Sequence, residues 1–217
     1  MTHYASWTVV ARGEAMAYDE HLAAQDLKRW IEGSALLGVT VRGMYDVSGM
    51  REEADLLLWL HGPSAEGLQA ALRAFRRTGA GESTETVWTA MGAHDAREAS
   101  RGHVPPFLDA LQAGAWVSVC PVSPTPEWMA LADQERREII DERGRAIAKV
   151  PGAQVSILPS LGLSDYEWLQ AIEAPTAGAL VDAARALRAA SDGALHDDAP
   201  YYAGRLIDHR EAVDVLR

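Results

Sequence analysis

Apolar positions along the 217-residue chain follow two periods that alternate. Trp7 to Arg12 runs largely apolar over a length that suits a strand. Asp19 to Glu32 sets Leu22, Leu27, Trp30 and Ile31 at roughly helical spacing and predicts an amphipathic helix. Gly38 opens a second strand, Val39 to Val47, which Ser48-Gly49 closes. Asp55 to His61 is a short apolar run of the kind found in strands buried on both faces. Ser64 is placed to cap a helix whose stripe is Leu68, Leu72 and Phe75, and Thr84 to Ala93 predicts a fourth strand.

The second half repeats this order. Ala115 to Val122 predicts a strand. Asp133 is expected to cap a helix running to Lys149, with Glu135 in its first turn where an acid suits the helix dipole. Ile139, Ile140 and Ile147 lie near one face of it, and Gly152 marks its end. Gln154 to Leu158 and Tyr166 to Glu173 predict adjacent strands, Ala177 to Ala190 a helix striped by Leu180, Ala184 and Leu187, and Ala199 to Ile207 a last strand. Two βαββαβ units in tandem predict an α+β fold of two ferredoxin-like halves, whose sheets are expected to pack into a dimeric α+β barrel. The expected division is an N-terminal half over 1–94, a connecting loop over 95–114 that holds Pro105-Pro106, and a C-terminal half over 115–217.

Charge narrows the choice of partners. A formal net charge of −11 argues against nucleic acid or an anionic membrane, both of which require a positive footprint. It leaves open an anionic small molecule held by a few local arginines. A hydrophobic share of 48% is enough to bury a core. One cysteine, Cys120, excludes an intrachain disulfide framework and a zinc-finger site, and a lone thiol suggests a reducing cytoplasm. No secretory signal pattern lies over Met1 to Trp7, and no apolar stretch is long enough to span a bilayer. The expected location is therefore cytoplasmic. Gly79-Ala80-Gly81 lacks the lysine that a phosphate loop needs. No HxH, HxxxH or HExxH spacing occurs, so a non-haem metal would have to be held by residues distant in sequence.

Several segments together resemble the coproheme decarboxylases of the chlorite dismutase superfamily. The strongest is Val41-Arg42-Gly43-Met44-Tyr45-Asp46-Val47-Ser48-Gly49-Met50. Phe75-Arg76-Arg77-Thr78, Val87-Trp88, Glu127-Trp128, Glu135-Arg136-Arg137, Asp165-Tyr166-Glu167-Trp168 and Pro200-Tyr201-Tyr202-Ala203-Gly204 follow in order, so the likeness covers nearly the whole chain. It implies the tandem ferredoxin-like barrel, a pocket in the C-terminal half and commonly a homopentamer. It also implies an enzyme that binds iron-coproporphyrin and uses peroxide to remove propionate carboxyls, giving haem b.

The resemblance also marks three departures. Arg143, in Glu142-Arg143-Gly144, stands where the family carries its iron-binding histidine. Guanidinium stays protonated and has no lone pair to give a metal. Cys120, before Pro121, stands where the family carries its radical-forming tyrosine, and Pro124 stands where it carries a propionate-holding base. His103 matches a distal histidine of one branch and is a candidate general base or metal ligand, or else a solvated loop residue.

For Arg143, the aligned place favours a pocket cation that meets an anionic ligand over a surface arginine paired to Glu142 or Asp141. Cys120 reads first as a small buried hydrophobe, and alternatively as a haem ligand or nucleophile. Trp128 matches a pocket tryptophan that could stack on a flat ligand, with packing under the interhalf loop as its alternative. Arg205 could meet an acidic group or be a solvated strand-end arginine. His94 and His196 read as structural.

These changes weigh against haem b. They point to a haem-independent enzyme, an oxidoreductase or lyase, acting on a small anionic or aromatic substrate, with or without a non-haem metal. One alternative is a haem protein or peroxidase with Cys120 or His103 as axial ligand. Another is a non-catalytic binding or assembly subunit. Coproheme decarboxylation itself ranks last.

Overall fold

The computed structural model describes residues 2–13, 19–95, 104–109, 111–191 and 193–217. Its contacts form two units, Met1–His103 with Gly204–Arg217, and Val104–Ala203. In the first, β1 (Thr2–Arg12), β2 (Thr40–Asp46), β3 (Leu56–Gly62) and β4 (Thr84–Asp95) pair antiparallel in the order β4-β1-β3-β2. The connections run through α1 (Glu20–Leu36) and α2 (Ala65–Phe75), with a single turn, α3 (Gly79–Glu82), before β4. This is the ferredoxin-like order that the alternating periods predict.

The apolar run of β3 explains the layering. Leu56, Leu58 and Leu60 point into a cluster with Val10, Leu27, Trp30, Leu68 and Phe75, between sheet and helices. Leu57 and Trp59 point the other way and are also fully buried, as is Trp7, whose ring lies 5.2 Å from that of Trp59. Each such side chain taken from water stabilises the fold by roughly 1.5–3 kcal/mol. Asp19 caps α1 by accepting from the Leu22 backbone N–H at 3.1 Å, and Ser64 caps α2 through Gly67 at 2.9 Å, as expected of Ser64. Gly38, at φ +71°, ends α1 in the left-handed conformation that glycine adopts without strain.

The second unit begins with a 3-10 turn at Pro106–Leu108. It continues with β5 (Trp116–Pro124), α4 (Pro126–Ala130), α5 (Asp133–Ala148), β6 (Gln154–Pro159), β7 (Trp168–Ala174), α6 (Ala177–Ala190) and β8 (Leu195–Asp197). Its strands pair in the order β8-β5-β7-β6, again antiparallel. Trp116, Val155 and Ile172 meet Ile147, Leu180 and Leu187 from the helices. The chain then returns to the first unit. Within β9 (Tyr202–Ile207), Arg205, Leu206 and Ile207 pair with β2, and α7 (His209–Val215) packs on α1.

Some local expectations need correction. The cap of α5 is Ala132 rather than Asp133, and the Ala132 N–H donates to Glu135 Oε2 at 2.8 Å. The strand expected from Tyr166 begins at Trp168. The strand expected over 199–207 is preceded by the separate β8, and a cis Ala199–Pro200 bond lies between the two. α3, α4 and α7 have no periodic signal because each is one or two turns long. They are set instead by the caps Thr78, Thr125 and Asp208. No helix among the described residues is long and apolar enough to cross a membrane.

Candidate functional site

Strand alternation assembles the site. In β5 and β7, Cys120 stands opposite Gln170 and Val122 opposite Trp168, while Asp197 on β8 stands opposite Val122 from the other side. Side chains two residues apart share a face, so all five share the face of Trp116 and Ile172, which packs on the helices. On α5, Ile139, Arg143 and Ile147 follow at i, i+4 and i+8, which puts Arg143 in the middle of the stripe turned to that sheet. Arg143 is 3% exposed.

A guanidinium this buried needs acceptors. Nη1 of Arg143 donates to Ser191 Oγ and, at 3.4 Å, to the Leu187 carbonyl at the end of α6. Nη2 donates to Gln170 Oε1 at 2.5 Å. All three acceptors are neutral, and no carboxylate among the described residues lies within ion-pairing distance of Arg143. Its Nε–H is buried without an acceptor. Burial pulls the Arg143 pKa down, while Asp197 and then Cys120 pull it back up.

Gln170 carries the contact onward. With its oxygen held by Arg143, its amide nitrogen faces Cys120 Sγ at 3.9 Å. Cys120 is 2% exposed, and burial, with Asp197 next in effect, pushes its thiol up to about 12. It is therefore a protonated thiol near neutrality. The Tyr201 phenol interacts electrostatically with both the Cys120 thiol and the Asp197 carboxylate. Burial first, then Cys120 and Asp197, raise the pKa of that phenol. Asp197 also meets Arg188 Nη2 at 3.6 Å, although the Arg188 side chain is 76% exposed. Trp128 on α4 is buried, and its ring stands edge-on to Trp168 at 5.9 Å, so it closes this end of the helix–sheet layer.

The fold thus brings Arg143 and Cys120 together, with Trp128 nearby on Trp168. Arg205 belongs to the first unit. There its guanidinium is taken up by Glu211, at 3.3 Å for Nη1, and by Asp46 at 3.8 Å. His103 lies outside the described residues. His94 is buried on β4 opposite His3, and His196 is exposed beside Asp198. No group of three or more His, Cys, Asp or Glu among the described residues is placed to hold a metal.

Four residues of this cluster were not singled out by sequence reasoning: Gln170, Ser191, Asp197 and Tyr201. The i, i+4, i+8 stripe of Ile139, Arg143 and Ile147 does signal a buried arginine. Gln170, a lone amide within an otherwise apolar stretch of β7, is a weaker signal. Nothing local marks Asp197, and Tyr201 stands within the matched segment Pro200-Tyr201-Tyr202-Ala203-Gly204 without a role of its own.

The family model described as "Chlorite dismutase" matches residues 20–207. A coproheme decarboxylase from Mycolicibacterium smegmatis is 38% identical over 170 residues, which cover 77% of this chain and 73% of that protein. Among solved structures, chlorite dismutase from Candidatus Nitrospira defluvii in complex with imidazole superposes with a TM-score of 0.80 at 18% identity, covering 99% of this chain and 94% of that one. A doubly substituted mutant of that enzyme gives 0.80 at 16% identity, covering 99% of this chain and 95% of the mutant. At those identities the structural likeness bears on the fold alone.

The iron-porphyrin that the resemblance implies is not matched by the donors on this helix. Arg143 has no electron pair to give, and three of its contacts already go to protein acceptors. Cys120 lies on β5, on the facing sheet rather than on this helix, and is buried against Gln170.

Proposed function

This chain belongs to the chlorite dismutase family, and we propose that its second unit binds a small carboxylate-bearing substrate at Arg143 instead of ligating iron-coproporphyrin from α5. One observation carries this reading. Arg143 is a buried cation with only neutral hydrogen-bond acceptors and an Nε–H that has none. Taking a guanidinium out of water without an anion is costly, and a carboxylate offers both the charge and the missing acceptor. The groups nearest Arg143 on the sheet face are neutral: the Gln170 amide that it holds and the Cys120 thiol beyond that amide.

The 38% identity to a coproheme decarboxylase favours a second reading, in which the chain retains that activity with another axial ligand, Cys120 or His103. The two readings part on one experiment. The purified protein is titrated with haemin and with iron-coproporphyrin while its absorption spectrum is recorded, and peroxide is then added and the porphyrin products analysed. The proposed function predicts no Soret band beyond that of free porphyrin and no haem b. Formation of haem b would overturn it. A Soret band abolished by Cys120→Ala would also overturn it, in favour of thiolate ligation.

A further inference from the structure

Two imidazole nitrogens converge on one sheet face of the first unit. His3 Nε2 and His61 Nδ1 lie 3.0 Å apart, with ring centroids 5.2 Å apart. Strand register brings them together. Ala5 stands opposite His61 in the β1–β3 pairing, so His3, two residues earlier, projects from the same face. β1 lies between β3 and β4, and His94 stands opposite His3 on the far side. Both rings of the pair are half-buried and keep some contact with solvent. The spacing discriminates among metals. Metal–imidazole bonds are about 2.0–2.1 Å long. Two nitrogens at adjacent corners of a tetragonal ion are then about 2.9 Å apart, and two at the corners of a tetrahedron about 3.4 Å apart. The pair already stands near the first value.

A neutral imidazole holds one lone pair and one N–H. Moving the shared proton to the other nitrogen of its own ring frees the second lone pair, and no proton is released. Burial lowers the pKa of both rings, so both are neutral near pH 7. We propose that His3 and His61 form a two-imidazole site for a tetragonal divalent ion, Cu²⁺ ahead of Ni²⁺, with water in the remaining positions. Cu²⁺ leads because nitrogen sites bind it most tightly of the first-row divalent ions. One neighbour opposes the metal. The Arg42 guanidinium lies over the Trp59 ring, 5.1 Å from its centroid, and Trp59 shares the face of His61. That charge repels a cation at His61 and limits the affinity. The site is independent of the carboxylate reading, which concerns the other unit.

Titration of the full chain with Cu²⁺, followed by calorimetry and electron paramagnetic resonance, tests this. The bound ion is expected to give a tetragonal spectrum with superhyperfine coupling to two imidazole nitrogens. His61→Gln is expected to weaken binding about ten-fold or more. Arg42→Gln is expected to tighten it about two-fold or more, which a mere loss of structure would not do. Copper held by His3 and the backbone before it would be lost in His3→Gln yet survive His61→Gln, and that pattern overturns the assignment. Binding unchanged in both histidine variants overturns it too, as does no binding at all. A wild-type spectrum without imidazole coupling overturns it whether or not a variant folds.

Discussion

Arg143 on α5 and Gln170 on β7 are joined at 2.5 Å across the gap between helix and sheet, and that bond orients the Gln170 amide toward Cys120. Arg143 is thus a structural cross-tie as well as a charge. Truncating it removes the partner of Gln170 Oε1 and opens a void in a close-packed layer.

Arg143→Ala is therefore expected to destabilise the protein by about 3 kcal/mol, and Arg143→Met by about half as much, because Met refills the volume of the arginine stem. Urea denaturation followed by circular dichroism measures both. Equal losses would mean that packing contributes little, and no loss would mean that Arg143 is not held as described.

Cys120 gives an alkaline signature. Its thiol is raised from 9.0 to about 12 in the folded chain, so the fold favours the neutral form. That contribution is complete below pH 9 and fades as pH rises toward 12, because the unfolded chain loses its proton first. The urea midpoint is expected to fall over this window, with a shallower fall in Cys120→Ala. A thiol-specific reagent at about pH 8, below the ordinary thiol range, is expected to label Cys120 only after denaturation. Rapid labelling of the native protein would contradict the burial.

How much of this was readable in advance depended on how local each signal was. The bounds of α6, Ala177–Ala190, match the helix expected from the sequence, because its stripe and its Thr176 cap are both local. The apolar run of β3 likewise marks a strand covered on both faces. The residues around Arg143 divide the same way. Its burial is written in the spacing from Ile139 to Ile147, which periodicity can read. Asp197 reaches the site only through the β5–β8 register, so no local pattern marks it, while Tyr201 lies in a matched segment that gives it no role by itself. Arg205 follows the matched segment and could meet an acidic group, and the nearby Glu211 and Asp46 that take up its charge are not revealed by that position alone.

The first unit carries an acid-sensitive pair. His3 Nε2 and His61 Nδ1 lie 3.0 Å apart, with Arg42 near His61 and His94 opposite His3. Burial lowers both pKa values, and His61 falls to about 4, with His3 and then Arg42 adding to the shift. The stability from keeping His61 neutral is present above its unfolded value of 6.5 and is lost as pH falls toward 4. Denaturation midpoints are expected to drop across that interval, and His61→Gln is expected to flatten the drop. An unchanged slope in that variant would assign acid sensitivity elsewhere.

Two glycines separate close packing from chain entropy. A Cβ on Gly204 would come within 2.5 Å of the Asp46 carbonyl oxygen and 2.8 Å of Val47 Cγ1, where β9 meets β2. The carbonyl is backbone and cannot turn aside, so Gly204→Ala is expected to cost about 1–3 kcal/mol. Gly33 lies within α1, and a Cβ there meets nothing within 4 Å. Alanine at that position restricts the unfolded chain and suits a helix, so Gly33→Ala is expected to stabilise by about 0.5–1 kcal/mol. Thermal melts of the two variants should therefore move in opposite directions. A Gly204→Ala melt at or above wild type would show that β9 does not approach β2 as closely as the Asp46–Arg205 pairing requires.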